Sequence, residues 1–322
     1  MSTPSPKRDH GGGLDAAAAE YGGDPRAWLD LSTGINPIAY PVGELSPDVW
    51  GRLPDTGAMS RLLDAARAFW SVPDGVQIIA AAGASPLIAR MPELGAGDEV
   101  YIPTPTYNEH AAAFAARRWH VWDDPAVPVH VYVHPNNPDG RLWPGSKIGR
   151  RGLTIVDESF CDTVPDQSHI ARAAEPRVIV LKSFGKFWGL AGIRLGFAMA
   201  LPETFAPAGQ ANLQELMGPW SVSGPALEVG ARALQDHAWA DATRERLAKD
   251  AKRLDGLMCA TGATLVGGTT LFRTYALPDA EAMQARLAKH HIWTRIFPYS
   301  DHWIRLGLPG TEADWTRLEA AL

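Results

Sequence analysis

The chain has 322 residues, of which 46% are hydrophobic and 20% are charged, and this balance is typical of a globular protein of about two domains. The formal net charge of −6 argues against a general nucleic-acid-binding protein, and two cysteines are too few for a disulfide framework, so we expect a cytoplasmic protein. The amino terminus lacks the apolar core of a secretion signal, and apolar runs are short, so we expect neither secretion nor membrane insertion.

Residues 1–45 are rich in Gly and Pro and predict an irregular amino-terminal arm with a helix at Leu14–Tyr21. From Ser60 onwards, helical and β-like segments alternate. Runs such as LTIVD and VIVL are typical of strands buried on both faces of a parallel sheet, so we predict a large α/β domain at 46–215. Its strands are predicted at Gln77–Ala81, Glu99–Pro103, Val129–His134, Thr154–Asp157, Val178–Ser183 and Gly196–Ala200, and helices at Pro86–Met91 and His110–Arg117.

Residues 216–322 predict a smaller α+β domain. The amphipathic stretch Gly224–Leu257 predicts two helices. A last helix is predicted after Thr311, which caps it together with Asp314. Between them we predict strands at Thr264–Val266, Leu271–Tyr275, Trp293–Phe297 and Trp303–Leu308, and a helix at Ala280–His290.

The segment SFGKFWGLAGIRLGF at 183–197 follows a buried strand and contains Ser183, Lys186 and Arg194. A lysine in this position can form an imine with an aldehyde, and the serine and arginine are good ligands for phosphate oxygens. Together they suggest pyridoxal phosphate (PLP). Taken alone, a lysine near glycines is more often a solvated loop residue.

Two other strands end in polar side chains. The turn HPNNPDG contains Asn137, and the run IVDE contains Asp157 at the carboxyl edge of the sheet, where open α/β sheets bind ligands. A carboxylate there can pair with a protonated pyridine nitrogen, although Asn137 alone reads as a turn former and Asp157 as a helix cap. The order Asn, Asp, Lys, Arg along the sheet favours a PLP pocket.

The chain resembles the fold-type I PLP enzymes, the aspartate aminotransferase superfamily, over essentially its whole length. The segments HGG and LDLSTGINP near the amino terminus, PNNPDG, SFGKFWGLAGIRLGF and WIRLGLPG most resemble the cobalamin-pathway threonine-phosphate decarboxylases, and histidinol-phosphate aminotransferases are next. The resemblance implies a large domain with a mostly parallel sheet between helices, a smaller α+β domain and a homodimer.

The same resemblance implies cofactor roles, position by position. Lys186 would carry PLP as an imine, Asp157 would hold the pyridine nitrogen, Asn137 would bind the 3-oxygen, and Tyr107 would stack on the ring. The phosphate would be bound by Ser183, Arg194 and the backbone at Gly83, Ala84 and Ser85, a stretch that begins a predicted helix and suits an anion.

For the substrate, the resemblance implies that Arg305 binds the α-carboxylate. Asn36 and the backbone of Gly34 and Ile35 would lie where the arm closes over the substrate. Arg295 and His10 are candidates for a substrate phosphate, although His10 reads equally well as a flexible terminal residue. Since the His and Cys residues lack metal-ligand spacing, we predict no metal site.

Three positions depart from the superfamily pattern. Leu53 stands where a tyrosine would reach the neighbouring subunit's cofactor phosphate, Phe160 where many relatives have a tyrosine on the 3-oxygen, and Gly185 where a serine would precede the lysine. These departures argue against efficient transamination more than against PLP binding. The resemblance implies decarboxylation of L-threonine O-3-phosphate to (R)-1-amino-2-propanol phosphate in cobalamin biosynthesis. The alternatives are an aminotransferase of the histidinol-phosphate type and, outside enzymes, a PLP-fold binding module.

Overall fold

The computed structural model describes residues 10–148 and 152–322. These residues form two compact units. The larger is Ile38–Arg246, and the smaller combines the described residues up to Pro37 with Leu247–Leu322. None of the helices in the described ranges is both long enough and apolar enough to cross a membrane.

The helices and strands follow one another in an order that alternates through most of the larger unit. The α-helices are α1 (Leu14–Tyr21), α2 (Asp48–Gly51), α3 (Thr56–Phe69), α4 (Ala84–Arg90), α5 (Asn108–Ala116), α6 (Pro202–Phe205), α7 (Leu213–Met217), α8 (Gly224–Ala233), α9 (His237–Ala260), α10 (Ala280–Ala288) and α11 (Glu312–Ala321). The strands are β1 (Leu29–Asp30), β2 (Gln77–Ala81), β3 (Glu99–Tyr101), β4 (His120–Trp122), β5 (Val129–Val133), β6 (Thr154–Asp157), β7 (Val178–Ser183), β8 (Gly196–Ala200), β9 (Thr264–Thr269), β10 (Phe272–Ala276), β11 (Ile292–Trp293), β12 (Arg295–Phe297) and β13 (Ser300–Gly307).

The larger unit is built on a seven-stranded sheet in the order β2-β8-β7-β6-β5-β3-β4. Strands β3 to β7 pair in parallel, whereas β8 runs antiparallel to both of its neighbours. Every residue of β5 and β6 is buried, as expected for central strands covered on both faces. The parallel β5, β6 and β7 therefore end at one edge, and β8 begins at that same edge.

The smaller unit contains an antiparallel sheet in the order β12-β13-β10-β9 and the parallel pair β1 and β11. Helix α11 begins with the predicted capping box, in which the side chains of Thr311 and Asp314 each accept a hydrogen bond from the other residue's backbone N–H. The unit therefore has the α+β character expected for the carboxyl-terminal part.

The predicted fold class is confirmed, and β2, β6, β7 and β8 have the predicted bounds. The strands β1 and β4 were not predicted. Strand β4 is exposed at all three positions and lies at the edge of the sheet, so it lacks the alternation that marks a half-buried strand.

The two units do not coincide with the predicted segments 1–45, 46–215 and 216–322. Helix α8 packs against α3 and so belongs to the larger unit. Helix α9 then runs without interruption past Arg246, where the boundary falls. A sequence boundary drawn from the change in texture after Pro219 misses this, because the amphipathic pattern does not reveal which sheet a helix covers.

Candidate active site

A cavity lies at the carboxyl edge of the large sheet, with about 610 Å³ of empty volume including space open to solvent. All of the predicted cofactor residues except Gly83 line it. Its walls are formed by Ala84, Ser85, Ile88, Tyr107, Val133, Asn137, Asp157, Ser159, Phe160, Ser183, Gly185, Lys186, Ala191 and Arg194. Residues that are far apart in sequence meet here because β5, β6, β7 and β8 share this edge.

Lys186 supplies an amine to the cavity. It lies in the connection between β7 and β8, and its Nζ is 5.8 Å from the ring centre of Phe160. Phe160 is almost fully buried and offers this amine an aromatic face, since its ring carries no hydroxyl. The position at which the resemblance implies a tyrosine hydroxyl therefore presents an apolar wall.

Asp157 ends β6 as a buried carboxylate with two sets of partners. Its Oδ2 lies 2.8 Å from Nε2 of His110, and its Oδ1 accepts hydrogen bonds from the backbone N–H and the hydroxyl of Ser159. Burial alone raises the pKa of the Asp157 carboxyl, but the hydrogen bond and charge of His110 and the bonds from Ser159 outweigh it, so the pKa lies below its usual value. Asp157 is thus held ionised.

His110 was not among the predicted site residues. It lies in the first turn of α5, three positions after Tyr107, and is fully buried. Its ring meets that of Tyr107 edge to face, with ring centres 6.1 Å apart. A sequence signal was available, because positions i and i+3 share a helix face, but the partner Asp157 is 47 residues away.

The guanidinium of Arg194 lies against Gly83. A Cβ added to Gly83 would stand 2.5 Å from Nη2 of Arg194, and the backbone φ of Gly83 is +95°, so both space and conformation favour glycine there. Arg194 itself has a φ of 55° and donates a hydrogen bond to the carbonyl oxygen of Ala191. The first turn of α4 and this cation thus face one end of the cavity together.

Gly185 is required by a close approach of the backbone. A Cβ at this position would lie 2.8 Å from Cα of Ala191, a contact that real side chains do not make. A serine at this position, which the resemblance implies, would have to displace the segment around Ala191. Main chain fills the space that its side chain would need, and the loss of a phosphate contact stays a prediction.

A second lysine in the same region has a different environment. The ammonium group of Lys182 is buried and lies 2.7 Å from Oε2 of Glu158 and 3.7 Å from Oδ1 of Asp162. Burial alone lowers the pKa of Lys182, but the nearby carboxylates, Glu158 foremost, outweigh it and raise the pKa. Trp70 donates its indole N–H to the same Asp162. Lys182 is therefore a charged structural group outside the cavity lining.

Three other buried side chains bring possible metal-ligand atoms within 4.8 Å of one another: His134, Glu158 and Cys161. Both ring nitrogens of His134 are already engaged, Nε2 with the Gln167 carbonyl oxygen at 2.7 Å and Nδ1 with the backbone N–H of Trp143 at 2.9 Å. The carboxylate of Glu158 binds an ammonium group. The cluster is thus a hydrogen-bonded part of the core, and the absence of a metal site stays a prediction.

The predicted substrate residues lie in the smaller unit. Arg305, on β13, is buried and donates a hydrogen bond to the Ser32 carbonyl oxygen at 2.7 Å. Arg295, on β12, is its direct cross-strand partner. Asn36 is buried as well. Their substrate roles, and those of the buried Gly34, the half-buried Ile35 and the exposed His10, stay predictions.

The side chains of the cavity fit PLP in kind. An amine, a carboxylate held ionised, an amide and a guanidinium face one cavity: Lys186, Asp157, Asn137 and Arg194. These are the partners that an aldehyde, a pyridinium N–H, a phenolic oxygen and a phosphate require. A side chain at position 83 would displace the Arg194 guanidinium, so this glycine is needed to keep that cation at the cavity.

Comparison with known proteins shows the family of this chain. Residues 124–322 match the model of the family described as aminotransferase class I and II. The chain is 38% identical to a threonine-phosphate decarboxylase of a Sinorhizobium species, over 97% of each chain. It is 37% identical to a threonine-phosphate decarboxylase of Pseudomonas aeruginosa, over 98% of this chain and 97% of the relative.

Among solved structures, the fold is similar to that of a histidinol-phosphate aminotransferase from Sinorhizobium meliloti in complex with pyridoxal-5'-phosphate. The TM-score is 0.80 at 19% identity, and the match covers 96% of this chain and 93% of that chain. The likeness supports the division into a mostly parallel sheet with helices and a smaller, mostly antiparallel sheet.

Proposed function

Because the chain belongs to the class I and II aminotransferase family of fold-type I PLP enzymes, we propose that it is a PLP-dependent lyase that decarboxylates L-threonine O-3-phosphate. The products are CO₂ and (R)-1-amino-2-propanol phosphate. The resemblance to the cobalamin-pathway decarboxylases implies that the second product is a building block of cobalamin. The observation that carries the proposal is the full-length similarity to two threonine-phosphate decarboxylases, combined with a cavity that joins Lys186 to Asp157.

When bound, PLP supplies an aldehyde that condenses with amines and a conjugated ring that accepts the electron pair of a bond broken at the substrate's α-carbon. Lys186 would bind the cofactor covalently through Nζ. Asp157 would pair with the pyridine N–H, because His110 and Ser159 hold its carboxylate ionised. As an ammonium group, Lys186 Nζ would donate the proton that replaces CO₂ at the α-carbon.

The substrate carries two anionic groups, a carboxylate and a phosphate. Arg295 and Arg305 face each other across β12 and β13, and like charges at directly opposed positions are unfavourable unless an anion lies near them. This pairing supports Arg305 as the ligand of the carboxylate and Arg295 as a ligand of the phosphate. His10 and Asn36 are proposed as additional substrate ligands, with the backbone of Gly34 and Ile35.

The test is an assay of the purified protein reconstituted with PLP and supplied with L-threonine O-3-phosphate. We expect CO₂ and 1-amino-2-propanol phosphate in equal amounts, without any keto acid as co-substrate. The aminotransferase alternative predicts instead that an amino donor such as histidinol phosphate converts 2-oxoglutarate to glutamate. Glutamate formation without CO₂ release from the threonine phosphate would overturn the proposed decarboxylation.

We also propose that the protein forms a homodimer through the larger unit. Trp50 and Leu53, at 70% and 67%, are the most exposed of the large hydrophobic side chains in the described residues, and neighbouring exposed apolar side chains can mark a protein–protein contact. Leu53 lines a groove that combines both signs of charge, a pattern that suits a self-complementary two-fold contact. The charged residues of the groove are Asp48, Arg52, Asp55, Arg61, Glu228 and Arg232.

Sedimentation of the PLP-loaded protein tests the dimer. We expect a dimer that dissociates when Trp50 and Leu53 are both changed to Asp. Trp122→Asp is the matched control, because Trp122 is also exposed, at 45%, but lies on the edge strand β4. A monomeric wild type would overturn this proposal.

The cytoplasmic location rests on the sequence alone and remains part of the proposal.

A further inference from the structure

Asn136, the residue before Asn137, is buried and does not line the cavity. Its side chain makes three hydrogen bonds. The Oδ1 atom accepts one from the hydroxyl of Thr106 at 2.6 Å, and Nδ2 donates one to the carbonyl oxygen of Pro105 at 3.0 Å and another to Oδ1 of Asp139 at 2.8 Å. Two of these bonds reach a different stretch of chain.

The backbone of Asn136 is engaged within its own turn. Its N–H donates to the carbonyl oxygen of Arg141, and its carbonyl oxygen accepts from the N–H of Gly140. Asp139 also accepts a hydrogen bond from the N–H of Arg141. The main chain of Asn136 thus closes the turn that carries Asn137, while its side chain connects that turn to the segment before α5.

Both connected segments supply a cavity residue. Thr106 is followed directly by Tyr107, and Asn136 is followed directly by Asn137, and both of these neighbours line the cavity. A single amide side chain therefore ties together the segment with the aromatic ring and the segment with the polar amide. Breaking buried hydrogen bonds of a side-chain amide is costly, because their donors and acceptors are then left without a partner and cannot reach water.

We propose that Asn136 is a positioning residue that fixes the separation of the Tyr107 ring and the Asn137 amide, and through them the tilt of the bound pyridine ring. The inference rests on the proposed cofactor roles of Tyr107 and Asn137 but not on the identity of the substrate. Asn136 acts only through its neighbours, since its own polar atoms are bound within the protein.

The test compares three variants after reconstitution with PLP. Asn136→Ala removes all three side-chain bonds, and Thr106→Val removes only the hydroxyl bond to Asn136. Asp139→Asn is the matched control, because it keeps an acceptor oxygen in the turn and leaves the bonds to Pro105 and Thr106 in place. The readouts are borohydride-fixed PLP per chain, the visible circular dichroism of the bound cofactor, and the melting temperature.

We expect Asn136→Ala and Thr106→Val to fix one PLP per chain at saturation but with reduced visible dichroism per bound cofactor, while Asp139→Asn matches the wild type. Where the substrate is turned over, kcat should fall on the order of tenfold in Asn136→Ala, because small misplacements of reacting groups are costly. Unchanged dichroism in Asn136→Ala and Thr106→Val would overturn the inference, whatever happens to the melting temperature. A wild type that binds PLP but does not decarboxylate would refute the proposed reaction and leave this test intact.

Discussion

Nε2 of His110 lies 2.8 Å from Oδ2 of Asp157, with both side chains buried. Without this imidazole, the burial that raises the pKa of Asp157 would be less well opposed. We therefore expect His110→Phe to weaken PLP binding roughly tenfold at neutral pH, with the loss growing as pH falls. Fluorescence titration with PLP at several pH values measures this. His120→Phe, at an exposed position on β4, should bind PLP as the wild type does. If His110→Phe also bound PLP with wild-type affinity, the assigned support of Asp157 by His110 would be wrong.

Lys186 is expected to be the sole site of covalent attachment of PLP. Lys186→Ala should fix no cofactor on borohydride treatment and should lose on the order of 10³-fold or more in kcat, because the amine that binds the aldehyde and moves the proton is gone. Peptide mass analysis of the reduced protein locates the adduct. Lys289→Ala, at an exposed lysine of the smaller unit, serves as the control. An adduct that persists in Lys186→Ala would refute the assignment.

A serine in place of Gly185, directly before Lys186, should lower the stability of the protein and its affinity for PLP. Gly185→Ser places a Cβ 2.8 Å from Cα of Ala191, so we expect a loss of about 1–3 kcal/mol in the free energy of unfolding and weaker PLP binding. Gly192→Ser is a close control in the same loop, since a Cβ there meets nothing within 4 Å. Tighter PLP binding by Gly185→Ser would show that the backbone yields and that a hydroxyl contact is gained.

His134 should make the stability depend on pH. Burial lowers its pKa below the ordinary 6.5, helped by the charges of His169 and Lys182 and only partly opposed by the Gln167 carbonyl and Glu158. The unfolded chain then binds more protons than the native protein, so the free energy of unfolding falls as pH drops below 6.5 toward the folded pKa.

Urea unfolding across that range measures the slope. His134→Gln should show a flatter dependence than the wild type below pH 6.5, although it is less stable at neutral pH. Identical slopes in the wild type and His134→Gln would rule out His134 as the titrating group.

Arg305 is expected to act through its forked guanidinium. Arg305→Lys keeps the charge but loses the two parallel donors, so KM for the phosphorylated substrate should rise roughly 10- to 100-fold while PLP binding is unchanged. Steady-state kinetics with a separate PLP titration distinguish the two. Arg253→Lys in the same unit, whose partners are the surface carboxylates of Glu312 and Glu319, should leave KM unchanged. An unaltered KM in Arg305→Lys would remove Arg305 from the substrate site.

The strands that carry the site were predictable because their sequences are unambiguous. Thr154–Asp157 is buried throughout and Val178–Ser183 is buried as far as Lys182, and polar residues at their ends stand out against these runs. The unit boundary was not predictable in the same way. Helix α9 crosses it without a break, and an amphipathic pattern indicates a buried face without naming the element that buries it.

The supporting residues behind the cavity escaped the sequence for a related reason. His110 and Asn136 look like a helix residue and a turn residue, and their significance lies in contacts with Asp157 and Thr106 that only the folded chain creates. Gly185 shows the converse, since the resemblance to the superfamily marks it in the sequence as a departure from a serine. The structure shows instead that the main chain at Ala191 occupies the space.

Lys182 lies near the end of β7 and Lys186 follows in the connection to β8, and Glu158 and Asp162 keep Lys182 charged. A charged ammonium has no lone pair for attack, so Lys182 does not compete with Lys186 for an aldehyde that enters the cavity. Two chemically identical side chains thus have different roles: Lys182 is a structural cation, and Lys186 is the proposed nucleophile. Changing Glu158 to Gln would weaken this difference between the two lysines. It would also leave the buried ammonium of Lys182 poorly compensated, so we expect position 158 to tolerate substitution badly.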